Sequence, residues 1–219
     1  MNPDRTPALS RAEYESKSAA LIGRRLLDVR YWDIRNPHGE PRTWDYGDWQ
    51  HAVMGVELLT DGGPCSVLWT NTFFCYGVEV FDAPIADHLD VSENGPESWA
   101  AGGSDRWRDR LDSPVSGVQT HWERFSVGPA YRGDVQVGDP YEVDVPVAVR
   151  IDFAAGPVWM VAGIPMDSGR EDSGREKVFI GGDEIMVVFT ADRMRQIGFP
   201  DTSFLSHEVS SQHFSEGTQ

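Results

Sequence analysis

Glu142-Val-Asp-Val-Pro-Val-Ala-Val-Arg-Ile-Asp152 is the stretch on which the reading of this chain turns. Val143, Val145, Val147, Val149 and Ile151 alternate with Asp144, Pro146, Ala148, Arg150 and Asp152. A period of two with one apolar side describes a β-strand with one face on a core. Pro146 has no N–H to give to a ladder, so this strand is expected at a sheet edge, or to start late. The stretches 157–164 and 184–190 are more uniformly apolar, as central strands covered on both faces would be.

Outward from there, the clearest local signal is Asp61-Gly62-Gly63, set between the strand-like runs 51–60 and 65–70. Asp-Gly and Gly-Gly supply the positive φ of a tight hairpin turn. A third run, 74–81, follows an Asn71-Thr72 turn and completes a three-stranded meander. In that register Cys65 faces position 78 and Cys75 faces position 68, so the two cysteines are not expected to bond. Further strands are expected over 26–34 and 115–125.

Helices mark the two ends. Ser10 and Glu13 have capping-box spacing ahead of Ala12, Ala19, Ala20 and Leu21, and Gly23 is a natural stop. Ser104 is placed to cap a short helix over 105–111. Thr190 caps the last helix, which Gly198 and Pro200 end. A perfect duplication, Asp167-Ser-Gly-Arg-Glu171 followed by Asp172-Ser-Gly-Arg-Glu176, is too short to build a repeat architecture. It reads as a surface loop that tolerated an insertion. The expected fold is α+β and strand-dominated: a mostly antiparallel sheet, sandwich or open barrel, with an N-terminal helix and a short C-terminal helix. A single domain is expected over 1–200, followed by a flexible tail over 201–219.

The 219 residues carry 35 acidic and 19 basic side chains, a net charge of −16. The imbalance is local. Residues 1–30 hold 6 basic and 4 acidic groups, whereas residues 31–100 hold 2 and 12. Such a surface repels phosphate backbones and anionic lipid, which sets nucleic acid and membrane aside as partners. The first residues lack the apolar core of a signal peptide, and no apolar run approaches membrane-spanning length. The expected compartment is the cytoplasm.

No glycine-rich phosphate loop and no nucleophile elbow occurs, so no cofactor is expected. Asp45, Asp48 and His51 would converge on a cation only along a helix, and Gly47 with the strand beginning near His51 argues against one; no metal is expected. His121 and Glu123, two apart on a strand, share a face and are the acid–base candidates, with no third partner in view. Trp69, Trp122 and Trp159 fall on expected strands and read as core. Tryptophans in the polar stretch Trp44-Asp45-Tyr46-Gly47-Asp48-Trp49 can be packing lids over the sheet. They can also be anchors that, with the negative charge, would suit a basic protein surface or a cationic ligand held by cation–π contact. The expectation is therefore a non-catalytic acidic interaction protein: an inhibitor, an immunity-type partner or an accessory subunit. Trp44, Asp45, Asp48 and Trp49 would form its binding surface. The alternative is an enzyme or small-ligand carrier using a pocket in the sheet, with His121 and Glu123 as working residues.

Overall fold

A computed structural model describes residues 9–39, 44–73, 76–91, 95–166 and 177–206. The capping box forms as read: Glu13 N donates to Ser10 Oγ, and Ser10 N donates to the Glu13 carboxylate at 2.8 Å. It starts α1 (Arg11–Ala19), and β1 (Leu26–Asp33) follows. The run over 51–60 is two strands and not one. After β2 (Trp44–Asp45), β3 (Trp49–Val53) ends where Val53 takes φ +45°, and β4 (Gly55–Thr60) leaves in a new direction. Gly55 is required there, since a Cβ would come within 2.5 Å of Leu68 and 2.8 Å of the Val67 carbonyl.

The expected meander is present as β4, β5 (Gly63–Thr70) and β6 (Gly77–Phe81). Thr60 faces Gly63 across a two-residue Asp61-Gly62 turn. The second connection is longer than expected. Thr70 faces Gly77, so the third strand starts at Gly77 and Cys65 stands level with Asp82. Cys75 lies outside the described residues. β7 (Glu97–Ala100) and the single turn of α2 (Asp105–Arg108) come next. Ser104 occupies the N-cap position of α2, but its hydroxyl accepts no cap bond.

The chain then makes a long hairpin from β8 (Gly117–Val127) and β11 (Tyr141–Asp152), with a separate ribbon at its tip, β9 (Ala130–Arg132) and β10 (Val135–Gly138). β12 (Val158–Met166), β13 (Lys177–Val188) and α3 (Ala191–Gln196) complete the molecule. The tandem duplication falls between β12 and β13, outside the described residues. The sheet order is β6-β5-β4-β1-β3-β13-β12-β11-β8, with β2 on β3 and β7 on β1. All ladders are antiparallel save one contact, Trp32 opposite Val53. The strand-dominated reading holds: this is a curled, mostly antiparallel sheet, a half-barrel with a helix near each end.

Two corrections concern β11. It is internal to the sheet, between β12 and β8, and not at an edge. Pro146 is tolerated because β12 pairs only with residues 148–151, which leaves the first half of β11 unpaired on that side. The alternation also changes face. Pro146 faces Trp122 and Ala148 faces His121, so Val147 is an extra residue, a β-bulge. Val143, Val145 and Val147 therefore join an outer apolar cluster, whereas Val149 and Ile151 join the one inside the curl. β13 is covered on both faces over 185–188, as the composition there predicts. Ile185 and Val187 point into the curl, and Met186 and Val188 lie with Met194 and Ile197 on the outer side.

The curl brings β6 against β11: a Cβ on Gly77 would stand 2.8 Å from Val145 and 2.9 Å from the Pro146 carbonyl. α1 closes the remaining seam between the edge strands. Its buried Tyr14 donates to the Val78 carbonyl of β6 and meets Trp122 of β8 edge-on, while Glu15 accepts from Trp122 Nε1 at 3.1 Å. The segment over 203–206 is also tied down. Phe204 and Leu205 are buried, and Arg150 Nη1 donates to the carbonyls of Ser203, Phe204 and Ser206 at 2.9, 3.1 and 2.6 Å. Close packing thus continues into the segment expected to be a tail, as far as residue 206.

Candidate functional site

The acidic aromatic segment forms the tight turn between β2 and β3. Tyr46 N donates to Trp49 O at 3.0 Å, and Gly47 supplies φ +88°. Asp45 folds over this turn, accepting from Gly47 N and from Gln50 Nε2, each at 2.8 Å. Gln50 is buried and accepts from Tyr31 OH at 2.8 Å; that oxygen in turn accepts from Trp107 Nε1 at 2.6 Å. A relay of hydrogen bonds therefore runs from the inside of the curl to a surface turn. Arg106 Nε fastens the turn further by donating to Gly47 O at 2.7 Å. Buried polar chains of this kind, once every member is satisfied, hold a single geometry.

The four residues read as a binding surface do not all reach it. Trp49 is 4% exposed: Tyr46 stacks on it at 4.2 Å between centroids, and the Arg193 guanidinium lies 5.3 Å from its ring. Trp44 is half-buried and donates its indole N–H to Asp33 at 2.7 Å. What the turn presents is Tyr46, 51% exposed, with the carboxylates of Asp45 and Asp48. Tyr46 is the anchor that the reading passed over, and its stacking on Trp49 is what holds it in place. Asp45, Asp48 and His51 do not converge on one point. Among the described residues no group of three His, Cys, Asp or Glu side chains could hold a metal ion.

His51 meets Glu184 of β13 instead, Nε2 to Oε2 at 2.9 Å but out of line for a hydrogen bond. Burial pushes His51 down to about 4. Burial, reinforced by Asp183 and Asp33, pushes the Glu184 carboxyl up. Both directions favour the uncharged forms, against the pull of the short contact towards an ion pair. Desolvation outweighs the attraction at this contact, since a pair so poorly aligned recovers little of its cost.

His121 and Glu123 do share a face, with Nε2 and Oε1 3.7 Å apart. The His121 ring packs against Phe199 and Phe204, each 5.2 Å away between centroids. Cys65 is buried beside Arg24 Nη1 at 3.0 Å, yet burial outweighs that cation and pushes the thiol up to about 11. A thiol so protonated is a poor nucleophile. The inside of the curl is packed with side chains, among them Val29, Val56, Val67, Ile151, Met160 and Val187. An open groove of about 390 Å³ lies outside it, lined by Ile34, Arg35, Pro37, Met54, Gly95 and Pro96. Among the described residues that groove brings no carboxylate, histidine or thiol to its wall. Among the described residues no helix is long and apolar enough to cross a membrane. Comparison with known proteins gives no match to a family model, a curated protein or a solved structure.

Proposed function

We propose that this protein is a non-catalytic acidic interaction protein of the cytoplasm. It would act as an inhibitor, an immunity-type partner or an accessory subunit, binding another protein that carries a basic surface. The observation that supports this reading is the turn over 45–48. An exposed aromatic ring and two carboxylates stand there, with Asp45 tied to the interior by the Trp107–Tyr31–Gln50–Asp45 relay and Tyr46 stacked on Trp49. Preorganised aromatic anchors lose little freedom on binding, and flanking charge steers a partner of opposite sign. The packed interior of the curl speaks for a surface and against a ligand carried inside.

The test uses the full chain as bait against its own lysate, with Tyr46→Ser plus Asp48→Lys as the comparison. Asp45 is kept because its carboxylate holds Gly47 and Gln50. Capture should weaken as salt rises and should be lost in the double variant. A partner retained equally by both proteins would refute this surface.

A further inference from the structure

β8 is an edge strand of eleven residues with no backbone partner on its outer side among the described residues. Among the described residues it pairs only with β11, and no turn, cap or side chain of those residues bonds the outward N–H and C=O groups of residues 117–127. Proteins ordinarily blunt such an edge with charged side chains, a proline, a bulge in the edge strand or a covering element. Of these β8 carries Glu123 and Arg124, the latter held by Asp144 of β11. β8 has no proline, and the bulge beside it belongs to β11. Its neighbours touch side chains only: α1 packs on Trp122, and Phe199 and Phe204 pack on His121.

The strand is also complementary to itself. In a continuous antiparallel sheet made by a two-fold axis, equivalent side chains of the two copies lie on the same face. One residue must then face its own copy. Trp122 is the midpoint of β8, so an axis there aligns all eleven residues. Gln119 then faces Phe125, Thr120 faces Arg124, and His121 faces Glu123 on both sides of the axis. No two like charges meet. An axis one residue later would set two Glu123 carboxylates face to face, which is unfavourable.

We propose that this protein forms a two-fold homodimer by pairing β8 with β8 of a second copy, centred on Trp122. The inference does not depend on the turn over 45–48. Two bodies of charge −16 repel, so the dimer tightens as added salt screens them. Sedimentation equilibrium of the full chain over a concentration series, at low and moderate salt, reads the association directly. His121→Glu places a carboxylate opposite Glu123, and Glu123→Arg places a cation opposite His121. Each should weaken the dimer by about tenfold, the effect of two unfavourable cross-strand pairs. The variant carrying both substitutions re-pairs opposite charges and should recover the dimer. Thermal melts verify folding, and Glu123→Arg decides alone should His121→Glu unfold, since Glu123 is the more exposed side chain (38% against 20%). A chain that stays monomeric throughout would overturn the proposal. So would a dimer indifferent to both single substitutions, or a monomer whose β8 accepts a foreign strand.

Discussion

Replacing Tyr14 with phenylalanine removes one oxygen from the seam between the two halves of the curled sheet. That oxygen donates to the Val78 carbonyl on the edge strand β6, and both residues are buried. The ring itself stays, with its edge-on contacts to Trp122 at 5.3 Å and Phe73 at 6.0 Å. The loss is therefore one hydrogen bond plus the cost of a buried carbonyl without its donor, about 1–3 kcal/mol. Tyr14→Ala gives up the ring as well and should cost about 3–5 kcal/mol. The consequence is also local. α1 has nine residues, too few to persist alone in water, so a helix without its anchor frays. Urea unfolding followed by tryptophan fluorescence gives the stabilities, and amide exchange gives the protection of α1. Tyr14→Phe should shift the midpoint and keep the slope, whereas Tyr14→Ala should strip protection from α1 before the sheet opens. A Tyr14→Phe protein as stable as the parent would refute the role given to the hydroxyl. A Tyr14→Ala protein with α1 still protected would refute the role given to the helix.

Arg150→Lys keeps the charge but cannot reach three carbonyls and Asp152 Oδ1 with one planar fork. It should lower stability by about 2–3 kcal/mol and open the chain near Phe204 to proteolysis; an unchanged melt and digest would count against the clamp. His51 gives a pH dependence of defined sign. On acidification the unfolded chain takes up a proton at the ordinary 6.5 and the folded chain only at about 4, so stability falls across that window. The full gap corresponds to at most about 3 kcal/mol. Glu184 works in the opposite sense: its raised carboxyl keeps a proton that the unfolded chain has lost, so its contribution falls as pH rises above 4.5. His51→Gln should flatten the loss between pH 6.5 and 4 in urea titrations, and a slope identical to the parent's would show that other groups produce it.

Local chemistry was legible in the sequence, and what it could not show arises between distant residues. The Asp61-Gly62 turn, the Ser10–Glu13 box and the Thr190 cap each depend on neighbours within four positions, and each forms as read. The bulge at Val147 left no mark, because Ala148 and Arg150 are buried along with the valines around them. Five apolar residues at even spacing look the same whether or not the strand changes face midway. Val53 at φ +45° was equally hidden, since a β-branched residue disfavours that conformation and only Gly55 hinted at a break. His121 and Glu123 share a face because strand geometry requires it, but Phe199 and Phe204, which cover His121, come from the far end of the chain. Trp49 stands among polar neighbours, where a packing lid and a surface anchor look alike in sequence, and its cover includes Arg193 of α3.

The same distant pairing changes what the acidity means. Asp33, Glu57 and Glu79, all from the acidic stretch 31–100, are only 5, 6 and 4% exposed. No salt bridge joins any of them to a cation among the described residues. Neutral donors satisfy them instead: Trp44 Nε1 and Ile34 N for Asp33, Trp32 Nε1 for Glu57, and the hydroxyls of Thr70 and Thr72 for Glu79. Buried carboxylates need such partners, because an unsatisfied one is among the costliest groups to desolvate. The coincidence of tryptophan and acid in this stretch therefore has an internal cause in two instances, Trp32 with Glu57 and Trp44 with Asp33. Asp61 and Asp82 are engaged as well, with Arg25 N and the Arg24 guanidinium. The negative surface available to a partner is thus much narrower than the charge count implies. At the turn it contracts to Tyr46, Asp45 and Asp48, and only Tyr46 and Asp48 can be changed without disturbing the bonds beneath them.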